Sequence, residues 1–181
     1  MDKPKVATAS LAGCFGCHMS ILDIDDRILQ LIDLVDFNKS PIDDIKKFTA
    51  HCAVGIIEGG CCNEENVATL RDFRKNCDVL IACGECATQG GIPALRNNIP
   101  LKECLDEAYL GGPTTHNPKK IIPNDPELPL VLDKVYPLQE VVKIDYFLPG
   151  CPPSADTIWQ ALVALLNNKP LELPYELIKY D

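Results

Sequence analysis

Short apolar runs alternate with helical repeats along this 181-residue chain. Residues 4–10 (PKVATAS) are small and β-branched and run into a glycine-containing turn, which predicts a first strand. Ile21, Ile24, Ile28, Leu31, Ile32 and Val35 then recur at helical spacing with Asp23, Asp25, Asp26 and Arg27 opposite, so one amphipathic helix with that stripe in the core is expected. Ser40-Pro41 followed by Asp43 and Asp44 has the cap, first-turn proline and early acids of a short helix at about residues 41–48. Residues 52–57 (CAVGII) read as a buried second strand leaving through Glu58-Gly59-Gly60. Asn63 can cap a helix with Val67, Leu70 and Phe73 inward and Arg71, Asp72, Arg74 and Lys75 in water. Residues 78–82 (DVLIA) are continuously apolar after their first position, as a central parallel strand is.

Beyond Gly91 the pattern predicts a short segment around Pro93 and a helix at about residues 101–110. Pro113, Pro118, Pro123, Pro126 and Pro129 exclude regular structure from much of residues 111–137, and a loop this long carries function or covers a partner surface. Residues 141–148 (VVKIDYFL) form the fourth expected strand, and Ser154 caps a last helix with Ile158, Leu162 and Leu165 inward and Pro170 as its stop. Strand and helix in alternation imply an α/β fold with a parallel sheet and right-handed crossovers, in one domain over residues 1–181. All four strand exits then meet at one sheet edge, where open α/β sheets bind their ligands.

Composition narrows the chemistry. A hydrophobic content of 46% suits a single core, and a net charge of -9 without a clustered Lys/Arg footprint excludes a nucleic-acid surface. Residues 1–5 show no signal-peptide core or twin-arginine pair, and no long apolar segment follows, so a cytoplasmic protein with no membrane contact is expected. In that reducing compartment the ten cysteines point to metal ligation or redox chemistry rather than to disulfides.

The cysteines stand at the strand exits: Cys14-Phe15-Gly16-Cys17, Cys83-Gly84-Glu85-Cys86 and Gly150-Cys151-Pro152-Pro153. Four thiolates hold either a cubane iron-sulfur cluster or a tetrahedral zinc, and paired Cys-x-x-Cys turns suit both. On spacing alone the simplest site is zinc on Cys14, Cys17, Cys83 and Cys86. Against it stands Cys151, in a rigid glycine-proline turn at the same edge, and a cysteine followed by proline recurs among iron-sulfur ligands. A redox dithiol at Cys83 and Cys86 needs a helix to lower a thiol pKa, which Gly90-Gly91 and Pro93 disfavour. Cys52, Cys77 and Cys104 read as small buried residues, Cys61-Cys62 as neighbours of the site that need not ligate, and His18 as a hydrogen-bonding neighbour of Cys17. His51 and His116 read as ordinary residues before a strand and in a loop. No Ser/His/Asp constellation points to hydrolysis, and no G-x-G-x-x-G marks a dinucleotide.

Taken in order, Cys14-Phe15-Gly16-Cys17-His18-Met19-Ser20, Glu58-Gly59, the run from Gly84 to Ile92 (GECATQGGI) and Pro149-Gly150-Cys151-Pro152-Pro153 resemble the small subunit of nickel-iron hydrogenases, nearest to the short subunit of the cytoplasmic NAD-reducing class. The resemblance spans residues from about 5 to 165. It implies a flavodoxin-like open parallel sheet with helices on both faces, and a [4Fe-4S] cluster on Cys14, Cys17, Cys86 and Cys151, with Cys83 a neighbour. It further implies a nickel-iron large subunit as partner, with electrons passing to an iron-sulfur and flavin diaphorase that reduces NAD. No motif settles whether this chain itself binds a flavin. Glu58 matches a family acid near the subunit interface, with proton transfer, a structural role or simple turn stabilisation as its readings. Longer members continue into a second cluster domain, whereas residues 152–181 hold no cysteine or histidine. The tandem Cys61-Cys62 resembles the cluster subunit of respiratory NADH dehydrogenase, although there the tandem replaces the first motif. The alternatives are thus the cluster subunit of a quinone-linked NADH dehydrogenase and a zinc-stabilised binding module.

Overall fold

In the computed structural model, which describes residues 3–167 and 169–178, five strands form one parallel sheet: β1 (Lys5–Ser10), β2 (Asp36–Phe37), β3 (Cys52–Glu58), β5 (Cys77–Cys83) and β7 (Tyr146–Leu148). Their order across the sheet is β2-β1-β3-β5-β7, and every pair is parallel. Renumbered among themselves they run 2-1-3-4-5, the flavodoxin-like order, whose switch point lies between β1 and β3.

Alternation along the strands supplies two apolar faces. Val6, Val54, Ile56, Ile81 and Leu148 pack under α1 (Gly16–Leu22), α2 (Arg27–Leu34) and α6 (Ala155–Leu166) through Ile21, Leu31, Ile158 and Leu162. On the other face, Ala7, Ala9, Ile57, Leu80 and Ala82 meet Leu70 and Phe73 of α3 (Glu64–Asn76) and Ala87 of α4 (Glu85–Gln89). The expected caps form: the Asn63 side chain accepts from the Asn66 amide at 2.8 Å, and Ser154 Oγ accepts from the Thr157 amide at 3.1 Å.

Several sequence expectations are corrected. The helix expected to run unbroken through Ile21 to Val35 is two helices, because Asp25 adopts a left-handed φ of 61°, a conformation short polar side chains tolerate. The break shifts the phase of the stripe and leaves Ile32 48% exposed. Residues 41–48 form turns rather than a helix: Ser40 and Ile45 exchange both backbone hydrogen bonds, and the Ser40 hydroxyl turns inward to Thr8. Only the end of residues 141–148 is a strand, since the Val141 and Val142 amides fold back onto the Leu138 carbonyl. Within the proline-rich region, β6 (Val131–Tyr136) lies between Pro129 and Pro137 and pairs antiparallel with β4 (Cys61–Asn63), while Asn97 bonds both the amide and the carbonyl of Val135. The segment around Pro93 is a 3₁₀ helix (Ile92–Asn98), and the helix at 101–110 is α5 (Leu101–Asp106) followed by a π turn (Glu107–Gly111).

Asp145 ties β7 to β5. Its carboxylate accepts from Arg74 at 2.6 Å and from the Leu80 amide at 2.9 Å, while Arg74 also donates to the Cys77 and Asp78 carbonyls. Burial acts to raise the Asp145 pKa, but the Leu80 amide, Arg74 and Lys143 together outweigh it and hold the pKa below the ordinary aspartate value. A carboxylate depressed in this way adds stability above its unfolded pKa and loses it as pH falls through the folded one. Asp145→Asn is therefore expected to cost about 1–3 kcal/mol near neutral pH. The gap to wild type should close at pH values below about 4, as followed by urea unfolding at a series of pH values.

Candidate metal centre

Each parallel strand leaves the sheet at its carboxyl edge, and the exits are tied to one another by backbone hydrogen bonds. The Leu11 amide donates to the Glu58 carbonyl, Ala12 and Gly60 exchange two bonds of 2.9 Å, Gly84 donates to Leu148, and Glu85 donates to Gly150. These loops enclose a cavity of about 60 Å³ lined by Cys14, Cys17, Cys86, Cys151 and Glu58, with Gly13, Gly16, Gly59, Glu85, Gly150 and Pro152 completing the wall. One water-sized body needs about 10–15 Å³. The space thus exceeds what a single ion requires. Among the described residues, no three His, Cys, Asp or Glu side chains converge closely enough to hold one metal ion.

The sequence-derived ligand set is brought together here. Cys14 and Cys17 come from the β1 exit, where Phe15 at a φ of 66° lets the turn enter α1, Cys86 from the first turn of α4, and Cys151 from the turn after β7. Cys14 and Cys151 are exposed, whereas Cys17 and Cys86 are partly covered. Cys83 is not in the wall: its side chain, 1% exposed, packs in the core with Ile81 and Leu148, and its carbonyl accepts from the Cys17 thiol at 3.5 Å. Hydrogen bonding to Cys83 and then burial push the Cys17 pKa far up. Burial first, then the thiols of Cys151, Cys14 and Cys17, push Cys86 up as well. Of the candidate redox pair, Cys86 lies in the cavity wall and Cys83 in the core.

The remaining cysteines lie elsewhere. Cys61 is buried, Cys62 Sγ donates to Asn66 Oδ1 at 3.3 Å, and both belong to β4. Cys52 and Cys77 are buried register partners in β3 and β5, and Cys104 is half-buried. His51 pairs with Asp78 at the surface. His18 is 1% exposed, with Nδ1 2.6 Å from Glu58 Oε1 and Nε2 3.0 Å from Thr8 Oγ1. Glu58 Oε2 accepts from the Cys17 amide at 2.9 Å. Burial alone raises the Glu58 pKa, but His18 and the Cys17 amide bring it below the ordinary carboxylate value. The Thr8 hydroxyl, which continues this network to Ser40 at 2.9 Å, had no local signal in the sequence because its partner is 32 residues away.

The profile of the NADH ubiquinone oxidoreductase, 20 Kd subunit family matches residues 14–165. The chain belongs to this family. It is 48% identical over 180 residues to the delta subunit of the NAD-reducing hydrogenase HoxS of Cupriavidus necator, covering 99% of this chain and 86% of that one. A subunit of an F420-non-reducing hydrogenase of Methanothermobacter thermautotrophicus is 38% identical across 96% of this chain, which spans only 56% of that relative's length. Among solved structures, a chain of an NAD+-reducing [NiFe]-hydrogenase in the H2-reduced state superposes with a TM-score of 0.94 at 47% identity, covering 99% of both chains. A Dm. baculatum [NiFeSe]-hydrogenase chain, at 16% identity and a TM-score of 0.60, shares the fold. The resemblance to NAD-reducing hydrogenase small subunits and the flavodoxin-like sheet are thereby borne out. Among the described residues no helix is long and apolar enough to cross a membrane.

Gly84 shows how tightly the wall is built. Its φ is +83°, and an added Cβ would collide with Cys17 Sγ. Gly84→Ala is expected to lower stability by roughly 1–3 kcal/mol. Gly111→Ala, where a Cβ meets nothing nearer than 3.8 Å and φ is not positive, should stay within about 0.5 kcal/mol of wild type. Anaerobic denaturant unfolding of both variants checks the contrast.

Proposed function

We propose that this chain is the electron-transfer small subunit of an NAD-reducing nickel-iron hydrogenase, with one [4Fe-4S] cluster held by Cys14, Cys17, Cys86 and Cys151. The observation that carries the reading is the convergence of these four thiols, from three separate strand exits, on one cavity that Cys83 does not line. The zinc arrangement needs Cys83 in place of Cys151. An iron-sulfur cluster supplies one-electron storage at a potential set by its surroundings. The chain's own part is to hold four thiols on fixed loops, to keep Cys17 and Cys86 sheltered, and to leave Cys14 and Cys151 facing outward. Ile92 and Leu95, 74% and 71% exposed on the 3₁₀ helix just after α4, add an apolar surface beside the site of the kind that partner proteins cover.

A nickel-iron large subunit on one side and an iron-sulfur and flavin diaphorase on the other are the partners this reading requires. The family takes its description from an NADH ubiquinone oxidoreductase, which keeps the cluster subunit of a quinone-linked NADH dehydrogenase as the second reading, but the relative at 48% identity is a hydrogenase subunit. The first motif here is Cys-x-x-Cys, and the tandem Cys61-Cys62 lies in β4 outside the cavity wall.

Anaerobically purified protein is expected to hold iron and acid-labile sulfide in equal amounts. Cys151→Ala should abolish or severely deplete both, because a ligand thiolate is lost from a site whose assembly is coupled to folding, and Cys83→Ala should retain them. Stoichiometric zinc without sulfide, or the reverse pattern in the two variants, would end this reading. A second expectation concerns partners: the isolated chain should show one cluster signal by spin counting and no hydrogen-dependent NAD reduction. Activity should return only with a nickel-containing large subunit and a diaphorase. Two distinct clusters on the isolated chain, or activity without partners, would contradict the assignment.

A further inference from the structure

Glu58 is a carboxylate in an unusual place. It ends a central strand, is 2% exposed, and lines the cavity among the four thiols. Burying a carboxylate is costly unless each oxygen is bonded. Here Oε2 takes the Cys17 amide, one of the first-turn amides of α1 that have no partner within the helix, and Oε1 takes His18 Nδ1. His18 is anchored from behind by Thr8 Oγ1, which meets Ser40 Oγ, which in turn accepts from the Ile42 amide at 3.2 Å. The His18 ring also stacks on Phe15 with centroids 4.5 Å apart and planes 12° apart, and Phe15 is the left-handed residue that joins Cys14 to Gly16. One buried side chain thus grips Cys17 directly and braces the turn that carries Cys14 through His18 and Phe15.

We propose that Glu58 is a positioning residue for the cluster: held by His18, it fixes the Cys14–Cys17 turn, and its charge at the cavity wall keeps the cluster's reduction potential low. The electrostatic part follows from Coulomb's law in a poorly hydrated site, where a fixed negative charge opposes the arrival of an electron. The inference rests on the cluster assignment above. Glu58→Gln keeps the shape and a hydrogen-bonding oxygen but removes the charge, whereas Glu58→Ala removes both.

The test uses the whole hydrogenase complex, purified anaerobically, with iron and sulfide measured first and the cluster then titrated by EPR-monitored redox potentiometry. Glu58→Gln is expected to keep wild-type iron and sulfide with a more positive midpoint potential. Glu58→Ala should lose cluster content and alter the EPR line shape of what remains, so that Gln rescues content and not potential. A wild-type potential in Glu58→Gln would overturn the proposal whatever the Ala variant does. If Glu58→Gln does not assemble, His18→Asn is read for the hold on the turn, and wild-type cluster content with an unchanged line shape there would overturn it. An unsubstituted complex without iron and sulfide in this chain would overturn the cluster assignment itself, and this proposal with it.

Discussion

A parallel sheet covered on both faces has no freedom in where its strands end. With helices packed against Val54 and Ile56 on one side and against Ile57 and Leu80 on the other, every strand must leave at the same carboxyl edge. The cavity exists because those exits are then bonded to each other rather than to water: Leu11 to Glu58, Ala12 to Gly60, Gly84 to Leu148, Glu85 to Gly150. The backbone therefore brings the loops that carry Cys14, Cys17, Cys86 and Cys151 to one place. Glycine is required where two exits cross. At Gly59, with a φ of +81°, a Cβ would stand 2.7 Å from the Leu11 carbonyl carbon.

The features legible in the sequence are those determined over short distances. β1, β3 and β5 are runs of apolar or small residues, their exits are marked by glycine and cysteine, and the caps Asn63 and Ser154 lie next to the amides they satisfy. The same local logic brought Cys14, Cys17, Cys86 and Cys151 to one edge. The missed features depend on distant partners. β2 has two residues and pairs with β1 from across two helices, and β6 becomes a strand because β4 and the Asn97 side chain supply its hydrogen bonds. Ser40 had the composition of a helix cap, but a buried Thr8 hydroxyl competed for it. Spacing alone left Cys83 level with Cys86, and only the resemblance set it aside as a neighbour. As the last residue of β5 its side chain alternates into the core, while Cys86, three residues later on a helix, points back to the cavity.

Two of the four thiols in the cavity wall are held above their ordinary pKa by their surroundings. Hydrogen bonding to Cys83 and then burial push the Cys17 thiol up, and burial and then the neighbouring thiols push Cys86 up. On the proposed reading, thiolate coordination releases the thiol protons, which couples assembly of the centre to folding of the loops. Glu58 adds to this balance, because a carboxylate buried in the wall is tolerated only where its oxygens are bonded. The His18 bond of 2.6 Å and the Cys17 amide at 2.9 Å satisfy one oxygen each and hold the carboxylate in place at the wall.

Exposure then divides the work between this chain and its neighbours. Cys17, held between Cys83 and Glu58, faces a wall this chain completes by itself, while Cys14 and Cys151 lie on the open side. A centre that exchanges electrons is best served near a face that partners reach, because transfer slows steeply with the distance between donor and acceptor. A centre open to water, in turn, would have its thiolates solvated and its charges screened. On the proposed reading both needs are met when a partner covers the outer face and the apolar surface of Ile92 and Leu95 beside it. The inner wall then sets the potential through fixed charges, and the outer wall, contributed on assembly, admits the electron.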